Sequence, residues 1–117
     1  MTIVSTMEEY HSIRPYVLAV LEREFPYLQM RFGVQQLRLF GSVSREEDTR
    51  GSDIDLLYIF IPEMNTYDNL FDLHEYLTNL FGRRIELVSE KWSGDRFLKR
   101  ALRDATSIDT YSGCGAV

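Results

Sequence analysis

The sequence predicts an α/β (α+β) domain in which helices cover a small sheet. Three observations predict it. Two apolar runs, 34–40 and 53–61, are too short and too continuous for surface helices and are bounded by glycine or proline. Two segments, 7–30 and 68–81, repeat their apolar residues at helical spacing. A length of 117 residues with 44% hydrophobic side chains fits one packed core, and the domain is expected to span residues 1–111.

Taken in order, residues 7–30 read as a helix through Ile13, Val17, Val20, Leu21 and Phe25. Pro15 fits its first turn, where no backbone donor is lost, and Pro26 is expected to end or kink it. Phe32-Gly33 marks a loop, and Val34 to Phe40 is a strand that stops at Gly41-Ser42. The polar stretch 43–52 is a helical turn and a loop. Asp53 to Ile61 is the strongest strand, apolar at nearly every position after Asp55, as a strand buried on both faces should be.

Pro62 ends that strand. The next helix, 68–81, buries Leu70, Leu73, Leu77, Leu80 and Phe81; Asn65-Thr66 or Asp68 can cap its start, and Gly82 closes its end. Arg84 to Val88 is a third strand. Ser93 to Asp104 is a second amphipathic helix, 108–111 a short edge strand, and 112–117 a frayed tail. Strand order and direction are not fixed by these patterns.

The balance of 13 basic against 18 acidic side chains argues against sequence-independent nucleic-acid binding, which needs a basic surface. The charge is uneven. Residues 1–82 carry a net −7, and 83–104 a net +3, which is either a solvated helix face or a surface for phosphate or an acidic partner. One cysteine, Cys114, makes no internal disulfide, and no apolar run is long enough to span a membrane, so a cytoplasmic location is expected. His11 and His74 are isolated. Trp92 and the tyrosines read as core or interface rather than as base-stacking platforms.

Chemistry concentrates in three places. Asp53 and Asp55 alternate with Ile54 at the mouth of the central strand and share a face. Two carboxylates so placed repel and need a cation between them. Glu86 sits mid-strand, opposite in direction to Ile85 and Leu87. It is either on a wet edge, paired with a neighbouring arginine, or convergent with the aspartates. Three such hard oxygen donors would select magnesium or manganese over zinc. Gly41 and Ser42 open a helical turn whose free N–H groups and hydroxyl suit a phosphate; an ordinary strand-to-helix turn reads the same way.

The compound pattern, Gly41-Ser42, ten residues, Asp53-Ile54-Asp55-Leu56-Leu57 and a carboxylate one strand later, resembles the signature of the DNA polymerase β-like nucleotidyltransferases. With Arg31-Phe32-Gly33-Val34, Leu37 to Ser42 and Arg45 added, residues 12–104 are similar to the minimal nucleotidyltransferases of prokaryotes. The resemblance implies the nucleotidyltransferase fold, a small mixed sheet flanked by helices. It implies Gly41, Ser42 and Arg45 on the triphosphate of ATP, and Asp53, Asp55 and Glu86 as catalytic carboxylates that bind two Mg2+ ions. It also implies a HEPN-type toxin partner, with AMP added to a tyrosine of that partner in an antitoxin role. Glu86 stands where the group usually has Asp, and Glu46 where it often has Gly. With so short a chain, acceptor recognition is expected to come from elsewhere. The competing reading is a catalytically silent binding module of the same fold.

Overall fold

The computed structural model describes residues 9–108. Its elements are α1 (Arg14–Phe32), β1 (Val34–Phe40), α2 (Gly41–Ser44), β2 (Ile54–Phe60), a 3-10 turn (Pro62–Met64), α3 (Tyr67–Phe81), β3 (Ile85–Ser89), α4 (Asp95–Arg103) and β4 (Thr106–Ser107). The strands form one mixed sheet in the order β3-β2-β1-β4. β1 runs antiparallel to β2 and to β4, whereas β2 and β3 are parallel. The mixed sheet with flanking helices is the fold that the sequence resemblance implies.

Alternation along the strands sorts side chains onto two faces. Leu37, Leu39, Ile54, Leu56, Tyr58 and Ile85 face α1 and α3, where Val17, Leu21, Leu28, Leu73 and Leu77 complete the main core. Phe40, Leu57 and Val88 face the other way, against Leu98 and Ala101 of α4. The second face is the thinner one, and Asp55 and Glu86 follow its parity.

Four expectations need correction. The first helix begins at Arg14, not Met7; residues 9–13 are non-helical, and Met7 and Glu8 lie outside the described residues. Its start is fixed from a distance: the buried Asp48 accepts hydrogen bonds from Ile13 N (3.1 Å), Tyr10 Oη (2.7 Å) and Ser12 Oγ (2.6 Å). Pro26 neither ends α1 nor stops its packing. It sits on the exposed side while Phe25, Leu28 and Phe32 anchor the last two turns in the core, which offsets the lost backbone bond. The edge strand is Thr106–Ser107, set by pairing with Arg38 and Leu39, and Ile108 instead enters the core. Of the expected strand 108–111, residues 109–111 lie outside the described residues, as do the tail and Cys114. Trp92 is 79% exposed and belongs to no core.

The other elements keep their expected places. Thr66 caps α3 by accepting from Asn69 N, and Gly82 closes it in the left-handed region, φ 64°. Asn69 does a second job. From inside α3 its amide donates to Phe32 O (2.7 Å) and Met64 O (2.9 Å), tying the ends of α1 and the 3-10 turn together. Asn69→Ala would leave two carbonyls without that donor in a buried setting. We expect a loss of about 2 kcal/mol in a urea titration, with the slope of the transition unchanged.

Candidate active site

β1 delivers the first component. Its last residue, Phe40, is extended and forms the N-cap of α2, with no side chain capping the turn. The first N–H groups of such a turn have no intrahelical acceptor. Gly41 has φ +81°, and its Cα packs directly on Asp55: a Cβ there would collide with Asp55 Oδ2 and lie 3.1 Å from Asp55 Cγ. Glycine is therefore required twice, by its backbone angle and by the carboxylate beside it. The Ser42 hydroxyl is half-buried and has no hydrogen-bond partner among the described residues. Beyond it, Val43 and Ser44 are buried, and Ser44 Oγ donates to Asp104 O at 2.6 Å. Arg14 Nε donates to Ser44 O at 3.0 Å. The turn is thus clamped to both α1 and the end of α4.

β2 and β3 deliver the carboxylates. Their parallel register sets Asp55 directly beside Glu86. Asp53 lies one residue before β2, on the side of Asp55. Ligand-capable oxygens of Asp53, Asp55 and Glu86 all fall within 4.8 Å of one another. The sheet therefore brings together the three acidic residues singled out in the sequence, and the longer Glu86 side chain still reaches Asp55. Glu86 is on an exposed edge strand rather than inside the sheet, so its placement costs less than a core carboxylate would.

Crowding shows in Asp55. Burial, then a hydrogen bond from the Glu86 side and the charges of Glu86 and Asp53, push its carboxyl up to about 7, with Arg45 opposing. Asp55 thus favours its neutral form until a cation offsets the neighbouring charge. Asp53 finds its cation within the chain: Arg84 takes both its oxygens, Nε–Oδ1 at 3.1 Å and Nη2–Oδ2 at 3.2 Å. The Arg84 side chain is 84% exposed. Three hard oxygen donors within 4.8 Å of one another are a donor set that fits Mg2+ or Mn2+.

Arg45 does not stand free. It pairs with Glu47 (3.0 Å) and lies 3.9 Å from Asp104. It also lines, with Phe40, Gly41, Phe97, Arg100 and Ala101, a cavity of about 150 Å3 beside the Gly41 turn. Arg100 is thus the member of the basic stretch that reaches the Gly41 side, and sequence alone did not single it out. Arg83 and Arg84 serve the loop instead, since Arg83 Nη1 donates to Ser52 O at 2.9 Å. Glu46 has φ +60°, the left-handed conformation that explains why glycine suits this position. Asp48 was also missed; only its run of polar neighbours hints at a loop anchor. Burial raises its carboxyl, but hydrogen bonds from Ser12, Tyr10 and Ile13 prevail and hold it below the usual value.

Residues 25–110 match the family described as Polymerase beta, Nucleotidyltransferase, and the chain belongs to it. It is a nucleotidyltransferase of the minimal type. The protein adenylyltransferase MntA of Thermococcus cleftensis is 34% identical over 103 residues, covering 88% of this chain and 96% of that protein. A solved candidate minimal nucleotidyltransferase superposes with a TM-score of 0.67 at 33% identity, over 78% of this chain and 92% of that one. A chain from the complex of tri-AMPylated Shewanella oneidensis HEPN toxin with MNT antitoxin shares the fold. Its TM-score is 0.58 at 16% identity, over 79% of this chain and 71% of that one. No helix among the described residues is long and apolar enough to cross a membrane.

The raised Asp55 gives the site a pH signature. Below its ordinary value of 3.8, folded and unfolded chains both hold the proton. Between 3.8 and about 7 only the fold keeps it, so this group's contribution to stability falls as pH rises, then levels off. A divalent cation competes with that proton and should stabilise increasingly over the same window. At pH 8, Mg2+ at tenfold its Kd should add about 1.4 kcal/mol, or about 5 °C in Tm, and at pH 5 almost nothing. Asp55→Asn should abolish the response and, without metal at pH 8, melt higher than the wild type.

Proposed function

We propose that this chain is a protein adenylyltransferase that transfers AMP from ATP to a hydroxyl, a tyrosine, on a HEPN-type toxin, and so acts as its antitoxin. The observation that carries the catalytic part is the convergence of Asp53, Asp55 and Glu86 beside the Gly41 turn. The acceptor class rests on the relatives: one is named a protein adenylyltransferase, and a fold neighbour comes from a complex with an AMPylated HEPN toxin.

In this reading Gly41 and Ser42 hold the triphosphate through backbone N–H groups and the serine hydroxyl, with Arg45 and Arg100 adding positive charge from the adjoining cavity. Asp53, Asp55 and Glu86 would hold two Mg2+ ions. Those ions would neutralise charge on the attacking and leaving oxygens. The acceptor oxygen forms a bond to the α-phosphorus while the bond from that phosphorus to the bridging oxygen breaks, and pyrophosphate leaves. Glu86, the most exposed of the three carboxylates, takes the acceptor's proton. Positioning and charge neutralisation account for most of the catalysis in transfers of this kind. A silent binding module would not need a glycine packed against a carboxylate.

Incubation with labelled ATP, Mg2+ and the HEPN-type protein encoded beside this chain should label that protein on tyrosine. Asp53→Asn/Asp55→Asn should lower the rate at least 1000-fold, about 4 kcal/mol in the barrier, with partner binding intact. Gly41→Ala, which displaces Asp55, should lose rate without losing the fold. Partner neutralisation that survives in the double variant, without labelling by the wild type, would instead establish the binding module.

A further inference from the structure

The expectation that acceptor recognition lies wholly elsewhere is at odds with the far edge of the sheet. β3 is the outer strand there. Its bonds to β2 use alternate residues: Arg84 O accepts from Ile54 N, and Glu90 N donates to Tyr58 O, so 84, 86, 88 and 90 face inward. The backbone groups of Ile85, Leu87 and Ser89 therefore point outward. Ile85 O is bonded to His74 Nε2 (2.8 Å), and Ser89 O accepts from Ser93 Oγ (2.7 Å). Leu87 N–H and C=O have no partner among the described residues. Natural proteins usually blunt such an edge with charge or proline. Here it is flanked by an apolar groove of about 620 Å3 lined by Tyr67, Leu70, Phe71, His74, Ile85 and Leu87. Tyr67 is 91% and Phe71 67% exposed.

Two features connect this edge to the chemistry. Glu86 lines the groove and also belongs to the carboxylate cluster. Gly41 and the Arg45–Arg100 cavity lie on the β1 side of Asp55, whereas Glu86 lies on its β3 side. An in-line displacement separates the attacking and leaving oxygens across the phosphorus. With pyrophosphate departing at Gly41, the acceptor must arrive from the β3 side.

We propose that the β3 edge is where the protein acceptor docks, as an extended segment added alongside β3 at Leu87. Strand addition supplies backbone bonds from an open edge and side-chain pockets on alternate residues. A residue placed opposite Glu86 points to the same face as Glu86, about 5 Å away at Cβ, so its hydroxyl is delivered to the carboxylates. Its two neighbours point to the other face and enter the groove between Phe71 and Leu87. Asp68 and Glu86 at the groove exclude an acidic segment. The occupant is therefore a neutral or basic stretch with the pattern apolar, hydroxyl-bearing, apolar. This assignment of the acceptor rests on the protein-adenylylation reading.

The probe is a Lys-Ser-Leu-Tyr-Leu-Ser-Lys peptide, titrated by NMR into the full chain with Mg2+ and a non-hydrolysable ATP analogue. Amide shifts should map to Ile85, Leu87 and Ser89 and to the Phe71 ring. N-methylation of the peptide backbone at its pairing positions, Phe71→Asp, and the surface change Tyr67→Ser should each weaken binding, the first two at least tenfold. Nucleotide affinity should stay unchanged, which separates docking from misfolding. Shifts on other elements, no binding at millimolar peptide, or affinity indifferent to both N-methylation and Phe71→Asp would overturn the proposal. Replacing the analogue with ATP tests the underlying reading separately. A peptide that docks at β3, together with a HEPN-type protein that is never adenylylated, would refute the transfer reaction while leaving the docking edge established.

Discussion

Everything at this site depends on holding like charges together. The parallel register of β2 and β3 fixes Asp55 beside Glu86, and Asp53 joins them one residue before β2 begins. Three carboxylates within 4.8 Å repel, and the neighbourhood is built around that cost. Asp55 is pushed toward its neutral form, Arg84 straddles Asp53, and the Gly41 backbone comes close enough that no side chain could replace its hydrogen. Such a cluster is unfavourable for folding on its own, and the proposed divalent cation would remove the repulsion.

The remaining structure keeps that cluster in register. The loop 45–53 links the Gly41 turn to Asp53, and it is fixed at both ends. Asp48 draws it onto the start of α1, and Arg83 bonds the Ser52 carbonyl. Ser44 and Arg14 join the same turn to α1 and the end of α4. Helix packing on the main core supplies the stability, while the thin α4 face leaves the carboxylates accessible. In the proposed reaction, nucleotide from the Gly41 side and acceptor from the β3 edge would meet over Asp55 from opposite directions.

Much of this was legible in the residues. β1, β2 and α3 follow from apolar pattern and from Gly41, Pro62, Thr66 and Gly82 at their ends, because these signals are local. The three carboxylates were legible as a set because Asp-x-Asp on a strand shares a face and Glu86 falls on the next strand. What escaped was set by contacts distant in sequence. Asp48 determines where α1 begins, and core burial of Leu28 and Phe32 carries that helix past Pro26. The sequence offered Glu86 a neighbouring arginine, whereas Arg84 takes Asp53, a choice that depended on the turn before β3. The open Leu87 edge required the strand order, which no local pattern contains. Pairing with β1 moved β4 toward the N-terminus of the segment expected for it.

The central claim is that Asp53, Asp55 and Glu86 form a divalent-metal site addressed by a nucleotide held at Gly41-Ser42. Crystals grown with Mn2+ and a non-hydrolysable ATP analogue test it most directly, through the anomalous signal of manganese. Manganese bound by these three carboxylates, the triphosphate against the Gly41 turn and Arg84 released from Asp53 is the expected result. Bound nucleotide without manganese at the carboxylates, and with Arg84 still paired to Asp53, would contradict it.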